Sequence, residues 1–488
     1  MANKKVCIDP ITRLEGHGKI EIYLDDDGKA EDAVFQTPEL RGFERFCKGR
    51  RAEDMPRITE RICGVCPEAH HFASTKALDQ AYNTEPTARA RALRELIYNA
   101  YIFADHLLHL FYLGGPDFLT KPDTPKEKRN ILGVIEEVGG DIAGEVIKHR
   151  KLGHRIIEII GGHEIHPVNG IPGGVSKAID EEELEEIQKA SEDCREFALT
   201  AADLLKEKVF GKDLYTSLAE DQNYSMDTYY MGLVDENSKV SFYDGKVRVV
   251  DSKGEEFALA ETGDALDLLE EHVEPWTYVK FPYLKEIGWK GFQAGPENGI
   301  FRVGPLARLN VSGGMKTENA QREYDNFTDY FGSETVNQTF AYHWARLVEL
   351  VQAAERMVEI SSDDKTVLEG DLRNIPEEPG EGTGVIEAAR GTLFHNYELD
   401  EDGIIKSANM IVPTTSNNAA LSMSIQKTAE EIIDGKEIDD RILNQVERGF
   451  RPYDPCLACA SHTVDGGLDI EVAIYKKDGE LVDKFRRS

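Results

Sequence analysis

The chain has 488 residues, 40% hydrophobic and 30% charged, the make-up of a soluble globular protein long enough to bury a large core. Its formal net charge of −33 repels polyanions and so excludes nucleic acid and anionic membrane surfaces as partners. No apolar run reaches the roughly 18 residues of a direct membrane span, and Met1-Ala2-Asn3-Lys4-Lys5 opens no apolar signal-peptide core. In chain order, Lys19–Leu24, an Asp-Asp-Asp-Gly turn and Ala33–Gln36 read as a β-hairpin. Ala88–Leu113 carries apolar residues at three- and four-residue spacing and predicts a helix; its His106 and His109 are given packing or hydrogen-bonding roles. Glu181–Lys208, with Glu and Lys pairs at helical spacing, predicts a second helix. Val240–Leu259 reads as short strands with Asp-Gly and Lys-Gly turns. Glu318–Glu359 is the longest predicted helical stretch, amphipathic from Phe340 to Met357. Residues 369–384, rich in Pro, Gly and Glu, read as a loop, and Leu468–Tyr475 as a strand that could pair with the N-terminal strands. With no repeat or linker in view, the expected fold is mainly α (α+β), one domain over 1–488 with a large helical-bundle core and peripheral β-hairpins.

Seven cysteines, Cys7, Cys47, Cys63, Cys66, Cys194, Cys456 and Cys459, are too sparse and too odd in number for a disulfide scaffold, and they point to a reducing compartment. Four of them make two Cys-x-x-Cys pairs near opposite ends of the chain, each followed by a histidine, His70 or His462. Such pairs suit a metal that favours soft ligands. A structural zinc is one alternative, but zinc ribbons separate their pairs by roughly 15–20 residues, whereas Cys66 and Cys456 are 390 positions apart. Thioredoxin-like dithiols would need a βαβ context that neither pair has, and buried, inert thiols are the third alternative. Gly64 allows close backbone approach at the first pair and Pro455 stiffens the second. Both histidines stand near enough to serve as donors to the thiolates or as ligands of another ion.

Arg61-x-Cys63-Gly64-x-Cys66-x-x-x-His70 and Asp454-Pro455-Cys456-x-x-Cys459-x-x-His462 together resemble the signature pair of the large subunit of nickel–iron hydrogenases. Asp9-Pro10-Ile11-Thr12-Arg13-Leu14-Glu15-Gly16-His17, Arg41-Gly42-Phe43-Glu44, Ala389-Arg390-Gly391 and Val412-Pro413-Thr414-Thr415 extend the likeness from about residue 8 to residue 462. The resemblance implies the large-subunit fold and reversible heterolytic cleavage of dihydrogen to protons and electrons. It implies a nickel–iron centre with carbon monoxide and cyanide on the iron. Cys63 and Cys456 would be terminal nickel ligands, and Cys66 and Cys459 would bridge the two metals. Cys456 is the implied first proton acceptor and Glu15 the relay outward. Arg390 would overhang the metals as a fixed cation or a base, with Asp117 as its partner and Asp454 nearby. Pro413 and Thr414 would line the cyanide pocket, and His70 would hydrogen-bond a cysteine sulfur. A second ion, Mg2+ or Fe2+, is implied on Glu44, the Met410 carbonyl and His462.

Three remaining cysteines are too few for an iron–sulfur chain, so electrons must leave through a partner. The resemblance names an iron–sulfur small subunit, then further flavin or iron–sulfur subunits and a soluble acceptor: nicotinamide, deazaflavin, ferredoxin or a disulfide reductase. It also implies nickel-insertion proteins and a maturation protease. The 26 residues 463–488 have the size of the C-terminal extension that such a protease removes; whether this one is cleaved or kept stays open. The motif style is that of the soluble, cytoplasmic hydrogenases. Two relatives fit less well. The quinone-pocket subunit of respiratory complex I lacks the four cysteines, and hydrogen-sensing regulatory hydrogenases lack the tail.

Overall fold

The computed structural model describes residues 4–120, 124–221, 224–435, 438–461, 470–476 and 481–487. Lys4–Ile8 (β1), Lys19–Leu24 (β2) and Ala30–Gln36 (β3) form an antiparallel sheet in which Ile20 pairs with Phe35 and Ile22 with Ala33, putting the apolar alternation on one buried face. Pro67–Ala81 (α1) begins at the second cysteine, with proline at its first position, where a missing N–H costs nothing. Ala88–Leu108 (α2), Gly140–Gly161 (α3), Glu181–Lys208 (α4) and, much later in the chain, Ala341–Ser361 each pack on two of the others and close a four-helix bundle. Local sequence dictates α4 well. Asp180 and Glu183 form a reciprocal capping box, Glu181–Glu183 fill the first turn, and Lys206 and Lys208 stand in the last, each charge matched to the helix dipole.

Tyr229–Val234 (β4), Lys246–Val250 (β5) and Glu256–Ala260 (β6) form an antiparallel run, with Phe301–Arg302 parallel to β4. The predicted stretch Glu318–Glu359 is two helices, Glu318–Phe331 (α5) and Ala341–Ser361 (α6). Gly332 ends the first in a left-handed cap, and the chain crosses residues 333–340 before the second starts. The predicted helix Ala88–Leu113 ends as an α-helix at Leu108 and continues as a π turn over His109–Leu113.

Glu381–Ala388 (β7), Gly391–Leu399 (β8) and Ile405–Ile411 (β9) make a second antiparallel sheet, and α1 lies across β7 and β8. Residues 381–384 are therefore strand where loop was expected. Pro413–Ile432 (α7) packs on β3. Ile470–Tyr475 (β10) pairs with Leu481–Arg487 (β11) in a sheet of its own, not with β1–β3 as expected; Leu468 and Asp469 lie outside the described residues. One contiguous apolar cluster runs from Ile11 to Cys459, with smaller ones beneath β4–β6. The starts of α1 and α7, the turn between β7 and β8, and the Cys456–Cys459 segment all meet at the edge of that cluster. No helix among the described residues is long and apolar enough to cross a membrane.

Candidate metal centre

Two short backbone segments bring the cysteine pairs together. Cys66 occupies the N-cap of α1, and the loop before it turns so that the Val65 N–H donates to Cys63 Sγ at 3.2 Å. Asp454 has a left-handed backbone (φ 56°, ψ 59°) that redirects the chain into Cys456 and the short helix Leu457–Ala460. The N-terminal motif is laced to this segment. Glu15 N–H donates to Pro455 O at 3.2 Å and Leu457 N–H to Glu15 O at 2.9 Å.

The four sulfurs lie within 4.8 Å of one another. Cys63 to Cys456 is 3.4 Å, Cys66 to Cys459 is 3.3 Å and Cys456 to Cys459 is 2.8 Å, all well beyond the roughly 2.05 Å of a disulfide. All four are buried. Hydrogen bonds from Cys456, Cys459 and Cys66 hold the Cys63 thiol well below its ordinary range. Burial holds Cys456 and Cys459 well above it. Hydrogen bonds from Cys456 and Cys459 favour a Cys66 thiolate, but its bond to Cys63 and its burial leave it at about 11. Hydrogen bonds thus favour a thiolate at Cys63, while burial disfavours one at Cys456 and Cys459. A cation among the sulfurs would favour the ionised thiols, and soft sulfur donors suit nickel, iron or zinc. The donor set therefore fits a nickel–iron centre.

Glu15 adjoins the cluster. Its Oε2 is 3.1 Å from Cys456 Sγ and accepts the Ala458 N–H at 3.0 Å. Burial and the nearby Cys63 charge raise its pKa against those two hydrogen bonds. Arg390, at the turn between β7 and β8, lines the same cavity as Cys66, Cys456 and Cys459. Its partner is not Asp117, which was expected, but Asp105 of α2. Arg390 Nη1 and Nη2 reach the two Asp105 oxygens at 2.9 and 3.2 Å. The expected neighbour Asp454 does grip it, with Oδ2 at 3.0 Å from Nη2 and a carbonyl that accepts from Nε at 2.8 Å. Asp117 instead sits among arginines, 2.6 Å from Arg13 and 3.0 Å from Arg451, with Arg448 at 3.7 Å. Burial works to raise its pKa, but the three guanidiniums hold it well below the usual carboxylate range. The reason is the π turn and the Gly114-Gly115 pair that follow α2, which carry Asp117 away from the site. Asp105 could have been found in the sequence as an acid within the apolar run of a predicted helix, where only a fixed partner makes burial tolerable.

Pro413 and Thr414 line the cavity at the N-terminus of α7, which has no side-chain cap. Thr414 Oγ1 accepts the Cys456 N–H at 3.0 Å, so its hydroxyl proton remains available to a further acceptor. First-turn N–H groups and the helix dipole at this point suit anionic ligands. His70 also lines the cavity, and its Nδ1 is 3.1 Å from His395 Nε2. Glu44 and Met410 meet: Glu44 Oε1 accepts the Met410 N–H at 2.8 Å. The Arg41 N–H donates to Ser461 O at 2.7 Å, bringing the chain before His462 alongside; His462 lies outside the described residues. Expected for packing or hydrogen bonding, His106 bonds Glu349 (2.9 Å), while His109 contacts Asp454 (3.2 Å).

Four buried thiols, a doubly clamped guanidinium lining the same cavity and a carboxylate at one sulfur make a protein with a buried soft-metal site. The chain belongs to the nickel-dependent hydrogenase family, as the large, catalytic subunit of a nickel–iron hydrogenase: the family model matches residues 41–128 and 145–462, and a HoxL-like model matches residues 5–40. It is 43% identical over 484 residues to an iron-sulfur subunit of the F420-non-reducing hydrogenase of Archaeoglobus profundus, covering 99% of each chain. It is 35% identical to the NAD-reducing hydrogenase HoxS subunit beta of Cupriavidus necator, over 99% of this chain and 100% of that one. The crystal structure of an NAD+-reducing [NiFe]-hydrogenase in the H2-reduced state superposes with a TM-score of 0.88 at 35% identity, covering 95% of this chain and 100% of that chain. A Ni-Fe-Se hydrogenase from D. vulgaris Hildenborough, TM-score 0.73 and 24% identical, shares the fold.

Proposed function

We propose that this chain cleaves dihydrogen reversibly at a nickel–iron centre that Cys63, Cys66, Cys456 and Cys459 would hold. The observation that carries the reading is Glu15 Oε2 at 3.1 Å from Cys456 Sγ inside a four-thiol cluster. When bound, a nickel–iron pair with carbon monoxide and cyanide on the iron would supply the polarisation of dihydrogen and the sink for its electron pair. Cys456 Sγ accepts the proton and Glu15 Oε2 receives it next. Burial raises the pKa of this carboxyl and so favours its holding a proton, and the Ala458 N–H keeps it aimed. Arg390, pinned by Asp105 and Asp454, presents a fixed cation over the reacting space. Pro413 and Thr414 would line the cyanide pocket, and His70, in the same cavity, would hydrogen-bond a cysteine sulfur.

Glu44, the Met410 carbonyl and His462 bind a second ion, Mg2+ or Fe2+. An iron–sulfur small subunit takes the electrons and passes them through flavin or iron–sulfur subunits to a soluble acceptor; relatives named F420-non-reducing and NAD-reducing favour acceptors other than F420, nicotinamide among them. Those dissolved electron carriers favour a cytoplasmic location. Residues 1–488 act as one domain, and residues 463–488 are the C-terminal extension on which a maturation protease would act. Elemental analysis and infrared spectroscopy of the purified complex test the core of the reading. Nickel and iron near one each, with bands of metal-bound carbon monoxide and cyanide, are expected. Zinc alone overturns it.

A further inference from the structure

Asp454 is the carboxylate that ties Arg390 to the chain carrying Cys456, and three unusual features converge on it. Its own backbone is left-handed at a non-glycine residue, a conformation that surrounding contacts must enforce. Its Oδ1 lies 3.2 Å from His109 Nδ1. His109 opens the π turn that interrupts the helix from Ala88, with the Gly114 N–H donating to His109 O at 2.9 Å. That turn makes room for a second imidazole. A Cβ on Gly114 would stand 2.5 Å from His109 Nε2 and 2.9 Å from His343 Cε1. His343 of α6 stacks on His109 with centroids 5.3 Å apart, and its Nδ1 is 3.3 Å from His109 Nε2. Phe118 closes the far side of His343 at 4.7 Å. Both imidazoles are 1% exposed or less.

We propose that His109 and His343 form a hydrogen-bonded positioning pair that fixes Asp454 and, through it, the Arg390 guanidinium. With His343 Nδ1–H donating to His109 Nε2, the proton of neutral His109 sits on Nδ1, 3.2 Å from Asp454 Oδ1. Burial and Arg346 hold His109 down to about 4, so the pair stays neutral and directional. Asp454 Oδ2 then faces Arg390 at 3.0 Å, while Arg346, at 4.0 Å, stays a weaker competitor. Asp105 grips the opposite edge of the guanidinium. Without the histidine pair Asp454 is free to turn toward Arg346 and Arg390 loses one of two clamps.

The proposal rests on the reading of Arg390 as acting at the metals, and Arg390→Lys separates the two. The test uses the complete hydrogenase complex, with kcat, the KM for dihydrogen, nickel content and the crystallographic position of the guanidinium as readouts. His109→Leu and His343→Phe are expected to lower kcat roughly 10- to 100-fold with KM and nickel content unchanged, and to displace the guanidinium by about 1 Å. His109→Asn, whose amide nitrogen reaches the place of Nδ1 but which offers His343 no Nε2, is expected to be less impaired than His109→Leu and about as impaired as His343→Phe. Wild-type kcat in both His109→Leu and His343→Phe, with an unmoved guanidinium, overturns the proposal, as does equal impairment of His109→Leu and His109→Asn. If His109→Leu fails to load nickel, His343→Phe decides, since it leaves the His109 contact to Asp454 intact. Full turnover in Arg390→Lys sinks the underlying reading. Collapse there, with the histidine variants unaffected, sinks the pair alone.

Discussion

Glu15 and Cys456 are 441 positions apart in sequence and 3.1 Å apart in space. Glu15→Gln keeps the shape and the Ala458 contact but cannot carry the proton. Turnover is therefore expected to fall at least ~100-fold, the usual worth of a positioned acid–base group, with nickel and iron content unchanged. Hydrogen-uptake assays beside metal analysis check this, and undiminished uptake removes Glu15 from the route. Asp117 teaches the opposite lesson. Its carboxylate neutralises a buried arginine cluster, so Asp117→Asn is expected to destabilise the fold by about 3 kcal/mol at pH 7, in line with breaking a buried ion pair. Because its folded pKa is depressed, that stability is fully present above the unfolded value and is lost as pH falls from there through the folded pKa. Denaturant titrations at pH 7 and pH 2 should show the difference between parent and variant shrinking at the lower pH. Asp105 and Asp117 flank one short stretch of chain, and nothing in their spacing says which faces Arg390. The π turn at His109–Leu113 decides it.

At the scale of elements, α1 lies across β7 with almost no gap. A Cβ on Gly384 would stand 2.1 Å from Ala73 O and 2.4 Å from Ala77 N, against backbone that cannot yield. Gly384→Ala is expected to cost about 3 kcal/mol and to weaken metal retention, because α1 begins at Cys66; denaturant unfolding and nickel content measure the two effects. The glycines that made residues 369–384 read as a loop are partly strand glycines that admit a helix. Just before α1, burial raises the fully buried Glu60 to about 8 despite Arg61 and Arg57. The folded state therefore holds a proton that the unfolded chain has released, so stability declines as pH rises from about 4.5 toward 8 and levels off above. Glu60→Gln is expected to flatten that decline by about 1–3 kcal/mol, read from unfolding midpoints at pH 5.5 and 8. An unchanged slope removes Glu60 as its source.

Across the whole molecule, ligands from the two ends of the chain meet at one centre, so metal binding closes the fold. Its binding free energy is available to the native state alone, and metal-free protein should open first where the last ligands sit. Limited proteolysis is expected to cut the metal-free chain around residues 449–461 while the loaded chain resists. Equal resistance would show that the apolar cluster holds this segment unaided. Three helices of the bundle were legible because amphipathic spacing is a local property, and Glu181–Lys208 has the expected limits; the fourth, Gly140–Gly161, was not among the predicted elements. The break after Phe331 and the pairing of β10 with β11 were not legible either, since both depend on what each segment meets after collapse.

By itself the sequence determined a soft-metal ligand set, the two Cys-x-x-Cys pairs, while Glu15, Arg390 and Thr414 stood out only through the motifs that resemble those of the hydrogenase family. Only the tertiary structure decided who stands beside whom. It set Asp105 rather than Asp117 on Arg390, turned His70 toward His395, and joined His109 to Asp454. The physical reason is that a buried charge or imidazole is fixed by the partner that offsets its desolvation. Here that partner came from an element hundreds of residues away, at a distance no local pattern encodes.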